Sequence, residues 1–144
     1  MTEINRSALV PWSPAQMFAL VMDVDAYATF LPWCANSKLV SQTDTEIVGR
    51  LEIARGGIRQ SFTTRNRIEP PNRMYIELVE GPFSEFNGLW TFQALGDDGC
   101  KVSLRLTFKV DGRLMNIALG KIFNLAADRL VDAFCERADV VYAG

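Results

Sequence analysis

The sequence predicts an α+β domain in which a curved antiparallel sheet of seven strands wraps one long C-terminal helix. Three observations carry this prediction. Six runs with strand composition lie between residues 37 and 110, separated by turn signals. The closing stretch keeps an apolar stripe at spacings of three and four. Between a first strand-like run and the other six, Ser13-Pro14 opens a short helix.

The elements follow in order. "TEINRSALV" reads as the first strand. In "SPAQMFALVMD", Ser13 is the N-cap, Pro14 takes the first helical position, and Met17, Leu20 and Val21 repeat at helical spacing. A second short helix is expected from Val24 to Leu31, where Pro32 ends it. Strands are expected over 37–43, 45–55, 58–68, 73–80, 86–96 and 100–110. Their boundaries are Thr43-Asp44, Gly56-Gly57, Pro70-Pro71-Asn72, Gly81-Pro82 and Asp97-Asp98-Gly99. The last strand alternates most cleanly. Cys100, Val102, Leu104, Leu106, Phe108 and Val110 face one way, while Lys101, Ser103, Arg105, Thr107 and Lys109 face the other. One helix is expected from Arg113 to Tyr142, its stripe running through Met115, Leu119, Ile122, Phe123, Ala126, Leu130, Ala133, Phe134, Ala138 and Val141. At 1.5 Å per residue it is a rod roughly 45 Å long, enough to cross the whole sheet. A curved sheet around such a rod leaves room for a cavity.

Composition narrows the function. The chain has 144 residues, 49% of them hydrophobic, and a net charge of −2. That is one domain, 1–144, with apolar material for a core and a lined cavity. It contains no histidine, which removes Ser-His and Cys-His nucleophiles and imidazole metal sites. No metal site is expected, because Asp97-Asp98 lies in a turn sequence. Cys34, Cys100 and Cys135 are odd in number and far apart, so reduced thiols are expected. The most apolar run, "MFALVMDVDAYATFL", is interrupted by Asp23 and Asp25. The expected compartment is the cytoplasm, with peripheral contact at the inner membrane left open.

Two segments concentrate aromatic residues. "DVDAYATFLPWC" brings Tyr27, Phe30, Leu31, Pro32, Trp33 and Cys34 to a helix end. "EGPFSEFNGLWTF" puts Phe86, Gly88, Trp90 and Phe92 on one strand face, with Phe83 just before them. Each ring alone reads as core; together they suit the wall of a pocket. Gly120 in the last helix marks either a tight helix–sheet contact or room for a ligand beside Leu119 and Phe123. Charge is uneven. Residues 50–73 hold six arginines against two glutamates, a net of +4, and residues 74–100 hold five acids and no base. Arg59, Arg65 and Arg67 share a face, which is either a solvated surface or a contact for RNA or membrane phosphate.

Taken with "IFNLAADRLVDAFCERA", the two aromatic segments resemble the START-like, polyketide cyclase/dehydrase-like family. That family includes coenzyme-Q-binding proteins and a bacterial ribosome association toxin. The resemblance spans nearly the whole chain. It implies a helix-grip (START/Bet v 1-like) fold with an apolar tunnel between sheet and terminal helix. The family motif falls on Tyr27, Phe30, Pro32, Trp33 and Cys34, and on Gly81, Pro82, Phe83, Gly88 and Trp90. Ala28 departs from it, standing where the family often has proline.

The expected ligand-binding set is Tyr27, Phe30, Leu31, Pro32, Trp33, Phe83, Phe86, Trp90, Leu119 and Phe123. The first expectation is non-catalytic binding of ubiquinone or a related lipid, supporting respiration. Tyr27, Trp33, Asn36, Asn87 and Trp90 are candidate donors to its carbonyls. The alternative is a toxin that binds the large ribosomal subunit and blocks subunit association, with Arg59, Arg65 and Arg67 as contacts. A third reading, an aromatic cyclase, would draw on Glu77, Glu85, Tyr75 and Arg65, which form no recognisable constellation. No cofactor is required, and DNA is not an expected partner.

Overall fold

The computed structural model describes residues 2–97, 99–112 and 114–143, with the backbone alone for 114–116. Arg113, Asp98 and the Met115 side chain, which entered the expectations above, lie outside the described residues. The strands are β1 (Thr2–Val10), β2 (Cys34–Gln42), β3 (Glu46–Arg55), β4 (Ile58–Glu69), β5 (Arg73–Glu80), β6 (Phe83–Leu95) and β7 (Gly99–Val110). They form one antiparallel sheet in the order β1-β7-β6-β5-β4-β3-β2. The seven expected strands are all present. The meander from β2 to β7 uses tight connections: Gly56 and Gly57, at φ 59° and 83°, make the β3–β4 hairpin turn, which needs positive φ at both central residues.

The alternation read in β7 holds. Its six apolar residues are buried, and Lys101, Arg105 and Lys109 are exposed. β6 starts three residues earlier than expected. An irregularity between Phe83 and Glu85 adds a residue to this strand, so Phe83 and Phe86 both face inward.

After β1 comes α1 (Pro14–Met22). Ser13 Oγ accepts from Gln16 N (3.1 Å), and Ser13 N donates to Gln16 Oε1 (2.8 Å), a reciprocal cap. Met17, Phe18 and Val21 form its buried face. The second expected helix is shorter than 24–31. It is one 3-10 turn at Val24–Ala26 followed by α2 (Tyr27–Phe30). Pro32 keeps Leu31 extended, and the chain turns into β2 with Trp33 O accepting from Ala54 N at 3.0 Å.

The long terminal helix is bent. α3 (Leu114–Asp128) and α4 (Leu130–Tyr142) meet at Arg129. There the Arg129 N–H is shared between the Leu125 and Ala126 carbonyls, 3.3 Å from each. Leu119, Phe123, Ala126 and Ala127 of α3 and Val131, Phe134 and Ala138 of α4 are buried. The far end of α4 is pinned to the start of α1. Trp12 Nε1 donates to Asp139 Oδ1 (3.1 Å), and the Tyr142 hydroxyl donates to Gln16 O (2.8 Å). Among the described residues no helix is long and apolar enough to cross a membrane.

Candidate functional site

Two ring clusters sit between the sheet and α3–α4. The first gathers the α2 residues around Phe134 of α4. Its ring centroid lies 5.3 Å from Tyr27, 5.2 Å from Phe30 and 5.4 Å from Trp90, edge-on in each case. Such pairs contribute about 0.5–1.5 kcal/mol each beyond burial. The second cluster gathers Phe62, Phe83, Phe86 and Phe108 around Phe123 of α3, at 4.6–5.9 Å.

Between the clusters lies a cavity of about 80 Å³. Of the expected ligand-binding residues, Tyr27, Trp33, Phe86, Trp90 and Phe123 border it. Phe30 and Pro32 border instead a larger groove of about 770 Å³ along α4, where Arg137 lies over the Phe30 ring at 5.2 Å. Leu31, Phe83 and Leu119 border neither and are packed in the core. Trp33 and Ala126 border both spaces and so form the wall between them. Neither aromatic segment contains Thr64, Asn66, Ala126, Leu130 or Phe134, which also line the cavity. Strand parity points to two of them: Phe62, Thr64, Asn66 and Ile68 alternate with the arginines of β4, so they face inward.

The polar groups are few. The Tyr27 hydroxyl, an expected ligand donor, donates to the Val21 carbonyl. Burial, with Asp23 and Cys34 nearby, raises its pKa. Asn36 and Asn87 are not in the cavity. Asn36 donates to Glu52 Oε1 (2.9 Å), and Asn87 Oδ1 accepts from Thr107 (3.2 Å) on the outer sheet face. Asn66 lies at the cavity wall, 8% exposed. Its Nδ2 is 3.4 Å from Met74 Sδ, and its Oδ1 has no hydrogen-bond partner.

Arg59, Arg65 and Arg67 are exposed on the outer face of β4. Arg59 pairs with Glu52 (2.5 Å) and Arg65 with Glu46 (3.5 Å), and Arg67 lies over Tyr75 at 4.4 Å. The acid–base candidates Glu77, Glu85, Tyr75 and Arg65 border neither cavity nor groove. Cys34, Cys100 and Cys135 are free thiols. Burial pushes Cys34 and Cys135 up to about 11. Among the described residues no group of three His, Cys, Asp or Glu side chains could hold a metal ion.

Several known proteins resemble this chain. The Ribosome association toxin RatA of Pseudomonas aeruginosa is 43% identical over 141 residues, 98% of each chain. The mitochondrial Coenzyme Q-binding protein COQ10 homolog B of Xenopus laevis is 23% identical over 144 residues, 97% of this chain and 59% of that protein. The crystal structure of the Zhui aromatase/cyclase from Streptomyces sp. R1128 superposes with a TM-score of 0.84 at 16% identity, over 99% and 98% of the two chains. At that identity the likeness is one of fold. The model of the family described as polyketide cyclase / dehydrase and lipid transport matches residues 10–135. From the end of β1 to the middle of α4, therefore, this START-like chain is a member of that family.

Proposed function

We propose that the chain is a non-catalytic binder of an apolar, ring-headed lipid, with ubiquinone the leading candidate, and that it supports respiration in that role. The observation that carries this reading is the ring-walled cavity between the sheet and α3–α4. Among the described residues its lining offers no carboxylate, amine, guanidinium or thiol. The one titratable side chain there, Tyr27, has its proton engaged and its pKa raised. A cyclase needs a poised acid or base at the reacting atoms, and this lining supplies none.

Size makes binding a conformational step. A cavity of about 150 Å³ takes benzene, and this one measures about 80 Å³. Entry of a substituted ring moves the Trp33–Ala126 wall and joins cavity to groove. The test is mass spectrometry of an organic extract of the natively purified protein, followed by a quinone titration read by tryptophan fluorescence. Trp33 and Trp90 border the cavity, so a bound quinone quenches them. No extracted lipid and no quenching would reject the reading.

A second reading, association with the large ribosomal subunit that blocks subunit joining, is favoured by the full-length identity to the protein named RatA. Exposed cations would make the phosphate contacts. Arg59 and Arg65 can exchange their carboxylates for phosphate, because exposed pairs are worth only about 0–1 kcal/mol, and Arg67, which lies over Tyr75, stands beside them. Lys101, Arg105 and Lys109 of β7 lie on the same outer face and have no acidic partner among the described residues. Reversing either trio should weaken co-sedimentation with the subunit and flatten its steep salt dependence, while quinone titration stays unchanged. Co-sedimentation that survives both reversals refutes a phosphate-mediated contact. In both readings the chain acts from the cytoplasm, and in the first it meets the inner membrane peripherally to exchange lipid.

A further inference from the structure

The cavity is not uniformly apolar. On the inward face of β4, Thr64 and Asn66 interrupt a wall of rings and aliphatic side chains. Thr64 makes no side-chain hydrogen bond among the described residues. Asn66 is more demanding, because it is 8% exposed and its two amide atoms differ. Nδ2 has the Met74 thioether at 3.4 Å, a weak acceptor, while Oδ1 is buried with no partner. An amide oxygen only accepts, so only a donor can satisfy it.

We propose that Asn66, with Thr64 beside it, reads the ligand's head group and selects an apolar molecule carrying a hydroxyl donor over one carrying only carbonyl or ether oxygens. For a quinone-type ligand this is a preference for the reduced, quinol form. The inference rests on the reading that the cavity holds an apolar ligand, and it adds which oxidation state the site prefers. Neither tryptophan at the wall weakens the argument. The indole N–H groups of Trp33 and Trp90 donate, and a hydroxyl lone pair serves them as well as a carbonyl does. A quinol therefore satisfies both kinds of wall group, whereas a quinone leaves the Asn66 oxygen unpaired. The direction is the same if water reaches Oδ1 before the ligand does. Displacing that water with a group that cannot replace its hydrogen bond loses affinity. An unsatisfied buried acceptor costs enough to set a ratio of about ten-fold or more between the two forms.

The probes are decylubiquinol and decylubiquinone, titrated anaerobically, and 4-hexylphenol against 4-hexylanisole, a pair without redox chemistry. The wild-type chain should bind the hydroxyl-bearing member of each pair at least about ten-fold more tightly. Asn66→Leu keeps approximate shape and removes the orphan acceptor, so its ratio should fall toward one, with carbonyl and ether probes bound at least as well as before. Asn66→Ala serves the same comparison should the leucine not fit. Equal binding of both members by the wild-type chain overturns this inference and leaves lipid binding standing. A ratio that persists in a folded Asn66 variant overturns Asn66 as the selecting group. If none of the four probes binds, the cavity reading fails and the inference fails with it.

Discussion

Phe123→Ala is the most informative single substitution. Its ring touches the rings of Phe108 (4.6 Å), Phe83 (4.9 Å), Phe86 (5.6 Å) and Phe62 (5.9 Å), and it also borders the cavity. Removing a buried phenylalanine ring costs about 3–5 kcal/mol. Four ring partners place this site in the upper half of that range, about 4–5 kcal/mol. At about 3 °C per kcal/mol for a domain of this size, the midpoint should fall by about 12–15 °C. The vacated volume joins a cavity that is already present, so the variant should accept benzene. At ten times its Kd, benzene returns about 1.4 kcal/mol, or about 4 °C. The wild-type cavity of about 80 Å³ is too small for the same rescue. The assay is thermal and urea unfolding with and without benzene. A loss under about 2 kcal/mol at unchanged m-value, or equal benzene stabilisation of both proteins, refutes the packing argument.

Two further outcomes test other parts of the structure. A Cβ built at Gly120 meets only Val110 Cγ2, at 3.9 Å, which is ordinary contact. Gly120→Ala should therefore raise stability by up to about 1 kcal/mol through helix propensity, and a lowered midpoint would show that the helix sits closer to the sheet. The thiols predict a pH dependence. Cys34 and Cys135 are raised from 9.0 to about 11 in the folded chain, so between those values the unfolded chain binds fewer protons than the folded one. Stability should be level below pH 9 and fall from pH 9 to 11, less steeply once both cysteines are replaced by alanine. A slope that is the same in wild type and double variant would put its origin elsewhere.

Much of the sheet was legible in the sequence because one wetted face imposes strict alternation. The capped start of α1 was legible because Ser13 and Pro14 have few other uses in that position. The bend at Arg129 was not. Asp, Arg and Leu tolerate a helix, and neither proline nor glycine marks the site. The aromatic segments do not separate Trp33, Phe86, Trp90 and Phe123, which border the cavity, from Leu31, Phe83 and Leu119 in solid core. Composition is the same in both places; only the curvature of the sheet decides which ring faces empty space. Asn66 was overlooked because the arginines on either side drew the reading of β4 to its outer face. An asparagine at an inward position between Phe62 and Ile68 was the available signal.

The strand order has a consequence for how the chain is made. Each strand from β3 to β7 neighbours the one just before it, so the meander can assemble as it emerges. β1 pairs only with β7, from Thr2 opposite Phe108 to Val10 opposite Cys100. At about 5–20 residues per second, the first strand waits roughly 5–20 seconds after synthesis for its partner. α1 waits longer still, since the Tyr142 hydroxyl that holds Gln16 belongs to the last turn of α4. β1 is thus synthesised before the six strands that follow it and is among the last elements to be fastened, and the β1–β7 seam closes the fold.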